Sequence, residues 1–289
     1  MRVKVLKVIL YICGIFCIVY PIYSKFLSFK NQTEIISNYN KEIETMDKEI
    51  LEDKLKKSEE FNDENASQIK VVDPNEINVD DASSSYSFLE LGEMVGTINI
   101  PKININLPIY EGITSTNLTK GVAHMEDTSL PNGDINTHSI LAGHTGISQA
   151  EIFDNLNELE IDDEFYISFY GNITKYRVIE KRVVLPDDTS SLKIEENRCL
   201  VTLVTCTPKT VNTHRLLVTG EKIEEEKEIK EEKVEDNINL EIINEKSDFE
   251  LFIDFIKKNK SMMLFVFIVI IILIIISIIQ KITKRKKEN

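Results

Sequence analysis

Two long apolar runs stand near the ends of the chain, and the hydrophobic positions between them change period partway along. Residues 8–24 carry no formal charge between Lys7 and Lys25, and residues 261–280 form a dense Met/Phe/Val/Ile/Leu run between Lys260 and Lys281. A helix of about 20 apolar residues, rising about 1.5 Å each, spans a hydrocarbon layer of about 30 Å. Residues 261–280 therefore read as a transmembrane helix. The first run is shorter and contains Pro21, but Pro21-Ile22-Tyr23-Ser24-Lys25-Phe26 is bulky and offers no small-residue cleavage site. It reads as an uncleaved anchor. After it, Ile36, Tyr39, Ile43, Met46 and Ile50 recur at alternating three- and four-residue spacing with Glu and Lys between them. That period predicts a helix over 31–62 that packs one face on the domain that follows. Residues 63–87, rich in Asp, Asn and Ser, predict a long loop or tether.

From Met94 the texture changes to short β-branched runs separated by turn residues. Strands are expected at Val95–Ile100, Ile105–Ile109, Ser139–Ala142, Glu164–Tyr170, Ile173–Val184, Cys199–Cys206 and Leu216–Gly220. Gly171-Asn172 signals a tight hairpin turn. A helix is expected near Ser148–Leu156 and a single helical turn at Ser115–Lys120. Many short strands with brief helices predict an all-β barrel.

Charge orients the chain. Arg2, Lys4 and Lys7 precede the first apolar run, and Lys281, Lys284, Arg285, Lys286 and Lys287 follow the second. Positive flanks favour the cytoplasm, so both termini are expected inside the cell membrane and everything between them outside. The net charge is −14, and the stretch from Glu221 to Glu250 alone holds 13 acidic residues against five lysines. That balance weighs against a nucleic-acid partner, whose phosphates need basic patches. It suits a solvated, partly helical tether leading to the second membrane run.

Four cysteines do not build a disulfide framework. Cys13 and Cys17 fall within the first apolar run and read as small apolar residues. Cys199 and Cys206 lie on one expected strand, about 23 Å apart at about 3.3 Å per residue and on opposite faces, whereas a disulfide needs Cα atoms within about 7 Å. Cys206 is thus expected as an unbridged extracellular thiol, an unusual species unless it reacts.

Its surroundings supply the chemistry. Thr202-Leu203-Val204-Thr205-Cys206-Thr207-Pro208 is an alternating run that ends on the thiol, and Arg215 opens the next run in Asn212-Thr213-His214-Arg215-Leu216-Leu217-Val218. A hairpin would set thiol and guanidinium at neighbouring strand ends, which suits acyl transfer: sulfur attacks a carbonyl and a cation meets the oxyanion. Upstream, Ser139-Ile140-Leu141-Ala142-Gly143-His144 breaks at glycine and presents His144, a candidate general acid and base. The ordinary alternatives are a buried structural cysteine and a surface salt-bridging arginine. His138, His124 and His214 are the other histidines. His138 falls in an expected loop, and His214 points away from Arg215 by strand alternation.

These segments, in the order His, Cys, Arg, closely resemble the sortases, membrane-anchored cysteine transpeptidases of Gram-positive cell surfaces. The likeness runs roughly from Met94 to Gly220 and includes Ile100-Pro101-Lys102-Ile103, Leu107-Pro108-Ile109-Tyr110-Glu111-Gly112 and Gly121-Val122-Ala123-His124-Met125-Glu126-Asp127-Thr128-Ser129-Leu130-Pro131. The last of these, with Val211–Val218, is most similar to class C, the pilin-polymerising branch. The resemblance implies the eight-stranded sortase barrel, with Cys206 as nucleophile, His144 as proton carrier and Arg215 at the oxyanion. Thr205, His124 and His214 become substrate-contacting or supporting residues. Two departures stand out. Class C carries an N-terminal lid of Asp-Pro and an aromatic, whereas here Asn75 follows Asp73-Pro74. Lys209-Thr210 stands where that branch usually has an aromatic and a glycine.

The resulting organisation is a cytoplasmic N-terminus (1–7), an anchor (8–24), an extracellular helix with a lid loop (25–87) and a catalytic barrel (88–220). An acidic tether (221–260), a transmembrane helix (261–280) and a basic cytoplasmic tail (281–289) complete it. The resemblance implies cleavage of a Leu-Pro-x-Thr-Gly-like sorting signal between Thr and Gly through a thioacyl enzyme. An amine then resolves it: a pilin lysine in class C, or a peptidoglycan precursor in the housekeeping enzymes. The sequence calls for no cofactor, and neither a Cys-x-x-Cys pair nor an EF-hand loop points to a metal. A papain-like protease would place its cysteine before its histidine, opposite to the order here. The reading from a different class is a non-enzymatic extracellular β-domain scaffold, which predicts an unreactive, dispensable Cys206.

Overall fold

The computed structural model describes residues 2–65, 88–146, 152–223, 248–260 and 264. The expected lid residues Asp73, Pro74 and Asn75 lie outside the described residues, as do 224–247 of the tether and the second apolar run apart from Leu264. The chain divides into two compact units, Met1–Lys30 with Lys246–Asn289, and Asn31–Glu245.

The first part of α1 (Arg2–Thr45), up to Lys30, belongs to the smaller unit, and the helix runs unbroken through the first apolar run with Pro21 inside it. The stretch read as tether holds a helix, α4 (Asp248–Lys258), whose Phe252 and Phe255 rings meet Phe26 edge-on at 5.4 and 5.5 Å. Apolar spacing at Leu251, Phe252 and Phe255 explains it: the acidic character of 221–250 ends where an amphipathic face begins. Among the described residues, no helix is long and apolar enough to cross a membrane.

The larger unit is built on a closed eight-stranded barrel, in the order β1-β2-β3-β4-β7-β8-β6-β5. The strands are β1 (Met94–Ile100), β2 (Ile105–Glu111), β3 (Val122–His124), β4 (Thr137–Ala142), β5 (Glu164–Phe169), β6 (Asn172–Val184), β7 (Cys199–Thr207) and β8 (His214–Lys222). Seven were expected within a few residues. The eighth, β3, has three residues, all buried, and is too short to show a period. His138, expected in a loop, lies in β4, and β8 continues two residues into the stretch read as tether.

Two neighbouring pairs, β2–β3 and β4–β7, are parallel and therefore need crossovers. The first is made by α3 (Ser115–Lys120), the expected single turn, capped by the Thr114 side chain accepting from Asn117 N at 3.0 Å. The β5–β6 hairpin pairs Phe169 with Asn172, so its turn is Tyr170-Gly171, one residue earlier than expected. Tyr170 takes the left-handed conformation there (φ 43°), as does Gly171 (φ 85°), because a two-residue hairpin turn favours positive φ at its centre. The Tyr170 ring packs edge-on against Phe169 and its hydroxyl donates to Glu93 Oε1 at 2.8 Å. The helix expected near Ser148–Leu156 is not found in its described part. Ile152 and Phe153, adjacent in sequence, both bury completely, and the chain bends into a 3-10 turn at Leu156–Glu158.

Strand alternation sorts the apolar residues into two layers. Inside the barrel lie Ile98, Ile109, Leu141, Phe165, Tyr176, Val201, Leu203 and Val218, with Phe165 and Tyr176 stacked at 5.3 Å. Outside it, Ile113, Leu118, Met125, Ile140, Leu192, Val204 and Leu217 form a second cluster. Each fully buried side chain of this kind contributes about 1.5–3 kcal/mol. The expected helix over 31–62 is two helices, since α1 stops at Thr45 and α2 (Lys48–Asn65) restarts. The break rotates the face. Ile36 and Tyr39 are buried, Ile50 is 53% exposed, and Leu51, Leu55 and Phe61 pack on the core in its place. Asn62 anchors α2, accepting from Leu130 N at 2.8 Å and donating to Leu130 O at 3.1 Å.

Candidate active site

Cys206 and Arg215 are direct partners in the antiparallel β7–β8 ladder. Side chains directly opposite share one face, with Cβ atoms about 4.5–5.5 Å apart. Both residues lie on the outward face, in phase with Val204 and Leu217 of the outer cluster. Arg215 is buried, and its Nη1 donates to the carbonyls of Asn212 at 3.2 Å and His214 at 3.1 Å. The turn's own backbone thus holds the guanidinium beside the thiol.

His144 arrives from the other side of β7. The parallel register sets Ala142 against Val204. It continues past the strand end, where Gly143 N donates to Val204 O at 3.0 Å and the Thr205 hydroxyl donates to Gly143 O at 2.7 Å. One residue on, His144 emerges level with Cys206. Glycine is required before it: a Cβ at Gly143 would sit 2.5 Å from the Phe153 ring and 2.9 Å from Ile152. Phe153 N in turn donates to His144 O at 3.0 Å. The Gly-His pair is where this loop folds against the core. His144 is half-buried, and burial lowers its pKa below the usual imidazole value, so the ring is neutral at neutral pH.

Three other proposed residues do different things. Thr205 is buried and holds the His144 loop by its hydroxyl, a role the sequence could not show because Gly143 is 62 positions away. The His214 ring meets its sequence neighbour, with Nδ1 2.9 Å from the Thr213 hydroxyl, and His214 alternates away from Arg215 along β8. His124 is fully buried at the ends of β2 and β3, with Nδ1 2.9 Å from Glu111 Oε2 and Nε2 2.9 Å from Ser129 O. Burial opposes the charged ring, but the carboxylates of Glu111 and Glu126 outweigh it and hold His124 above the usual imidazole value. Burial likewise raises Glu111, so the pair keeps a proton. Glu111 carried no signal beyond its motif, because its partner lies on a strand too short to foresee. His138 is also buried, with Nδ1 2.8 Å from Lys193 O and Nε2 2.7 Å from the Thr202 hydroxyl, which meets Thr219 at 2.8 Å. Cys17, Cys199 and Cys206 form no disulfide.

A Sortase domain model matches residues 98–223. A solved structure described as sortase C1 of GBS Pilus Island 1 superposes with a TM-score of 0.62 at 33% identity, covering 68% of this chain and 95% of that one. The chain belongs to the sortase family. A Clostridium perfringens sortase C, solved with its C-terminal cell wall sorting motif, gives a TM-score of 0.58 at 36% identity over 66% of this chain and 98% of that one. Sortase D of Bacillus subtilis is 36% identical over 131 residues, 45% of this chain and 63% of that protein. The chain thus spans under two thirds of that curated relative, and the solved structures it resembles include class C sortases.

Proposed function

We propose that the protein is a membrane-anchored transpeptidase that cuts a Leu-Pro-x-Thr-Gly-like sorting signal between Thr and Gly and joins the threonine carbonyl to an amine, the side chain of a pilin lysine. The observation that carries the reading is that Cys206 faces Arg215 across β7–β8, while β4, on the other side of β7, ends two residues before His144. Class C neighbours matched over nearly their whole length, one of them with its own sorting motif, support the pilin-type substrate.

The chemistry follows from the groups. Cys206 Sγ attacks the threonine carbonyl carbon while neutral His144 takes the thiol proton. Arg215 meets the oxyanion with charge-assisted hydrogen bonds. The C–N bond to glycine then breaks, and His144 returns the proton to the leaving amine, leaving a thioester on Cys206. In the second half the lysine amine attacks the thioester. His144 accepts its proton and passes it to the departing thiolate, and an isopeptide bond forms.

Positive flanks on both apolar runs support an extracellular barrel with both termini in the cytoplasm. Asp73-Pro74-Asn75 supports an N-terminal lid lacking the usual aromatic plug. The housekeeping alternative transfers to a peptidoglycan amine at the same site. The test is to incubate the detergent-solubilised full chain with a Leu-Pro-x-Thr-Gly peptide and a lysine-bearing acceptor, weighing products by mass spectrometry. A thioester on Cys206 and a ligated product, both lost in Cys206→Ala, are expected. No adduct from the parent would return the chain to the scaffold reading.

A further inference from the structure

We infer that Asp154 and Lys209 form an ionic clasp that positions the His144 loop against the turn following Cys206. The two residues come from the two loops that bear the candidate proton carrier and nucleophile. Lys209, three residues after Cys206, places Nζ 2.7 Å from Asp154 Oδ1. The same oxygen accepts from Gly146 N at 3.1 Å, two residues after His144. Phe153 N, next to Asp154, donates to His144 O at 3.0 Å, so the aspartate is fastened to both sides of the histidine loop. The loops are also close in backbone terms: a Cβ at Gly146 would lie 3.8 Å from Thr210 N and 4.0 Å from Lys209 Cγ.

The pair is asymmetric, which makes it more than a surface contact. The Asp154 side chain is 11% exposed and that of Lys209 is 50% exposed. Asp154 Oδ2 is buried without a hydrogen-bond partner among the described residues. A carboxylate so withdrawn from water is tolerated only while a cation stays with it. Without Lys209, Asp154 must turn toward solvent and carry Gly146 with it, displacing His144. Without the charge on Asp154, an amide can still accept from Gly146 and the loop keeps its place. Lys209 is also the residue beside Cys206 at which the sequence departs from the class C pattern. An aromatic there could not neutralise Asp154. Asp154 and Lys209 are thus positioning residues, and the inference rests on Cys206 and His144 working as a pair.

The test uses the full chain in detergent with Lys209→Met, Asp154→Asn, both together, Lys209→Arg, and Lys102→Met as a control that breaks the remote Lys102–Asp163 contact. Two rates are measured: alkylation of Cys206 by iodoacetamide across pH, read on its own tryptic peptide, and thioester formation with the sorting peptide. Lys209→Met is expected to slow acylation through kcat by between a few-fold and about a hundredfold and to shift the pH midpoint of Cys206 labelling. Asp154→Asn should do less, and the double variant should recover toward Asp154→Asn. Lys209→Arg and Lys102→Met should match the parent. Unchanged rates in both single variants, or losses that simply multiply in the double variant, overturn the clasp. A parent that alkylates normally but forms no thioester would refute the transpeptidase reading instead, while the labelling cycle still decides the clasp.

Discussion

Arg215 stands directly across the β7–β8 ladder from Cys206, and its guanidinium is tied to the carbonyls of Asn212, in the turn that joins the two strands, and His214, the first residue of β8. The cation is therefore set in place by backbone before any substrate arrives. Arg215→Lys keeps the charge but loses the planar fork that bonds to carbonyls and oxyanion together. We expect a fall of about 10²–10³ in kcat for thioester formation, with little change in thermal midpoint. A near-parental kcat would remove Arg215 from the oxyanion role.

Gly143 has room for no side chain, since its Cβ would press on Phe153 at 2.5 Å. Gly143→Ala is expected to cost about 1–3 kcal/mol of stability through overpacking and to slow acylation by moving His144. Urea unfolding of the purified chain measures the first and peptide turnover the second. A variant as stable as the parent would mean that the loop yields easily.

Thr205→Val preserves shape but leaves the buried Gly143 carbonyl without its 2.7 Å donor. An unmet buried acceptor costs about 1–3 kcal/mol. Thr205→Ser should retain most of the stability and rate that Thr205→Val loses. Equal behaviour of the two variants would show that the hydroxyl is idle.

His138 gives the barrel an acid-sensitive point. Burial holds its pKa below the usual value, against the opposing bond to Lys193 O; Glu195 raises it and Arg198 lowers it. A depressed imidazole pKa means that the unfolded chain takes the proton first. The stability tied to His138 is thus present above about pH 6.5 and lost as pH falls through the folded value. His124 runs the other way, because its raised pKa adds stability that fades as pH rises. Comparing urea midpoints of the parent and His138→Gln at pH 7.5 and 5.5 isolates the first effect. The parent should lose more on acidification than the variant, and parallel losses would contradict the assignment.

If Asp73-Pro74-Asn75 acts as a lid, Asp73→Ala should speed alkylation of Cys206 severalfold while leaving the thermal midpoint unchanged. An unaltered labelling rate would leave the motif as loop punctuation.

The local pattern was enough for seven strands and for the single turn at Ser115–Lys120, because each sits in a run whose alternation or turn signal is visible over a few residues. Cys206 at the end of an apolar run and Arg215 at the start of the next predicted their meeting, since a hairpin is a local structure. What the sequence could not hold were pairings set by the closing of the barrel. Strand β3 is recognisable only by its neighbours β2 and β4. The break at Met46-Asp47, after which Ile50 is exposed while Leu51 and Leu55 pack on the core, is another feature that the local spacing did not show. Glu111 with His124, Thr205 with Gly143 and Asp154 with Lys209 join residues between 13 and 62 positions apart. Such partners are chosen by strand order and register, and a polar residue in sequence carries no mark of the donor it will meet. The chain alone determined which groups could do the chemistry; the tertiary structure decided which others hold them, because desolvation and hydrogen bonding act through space.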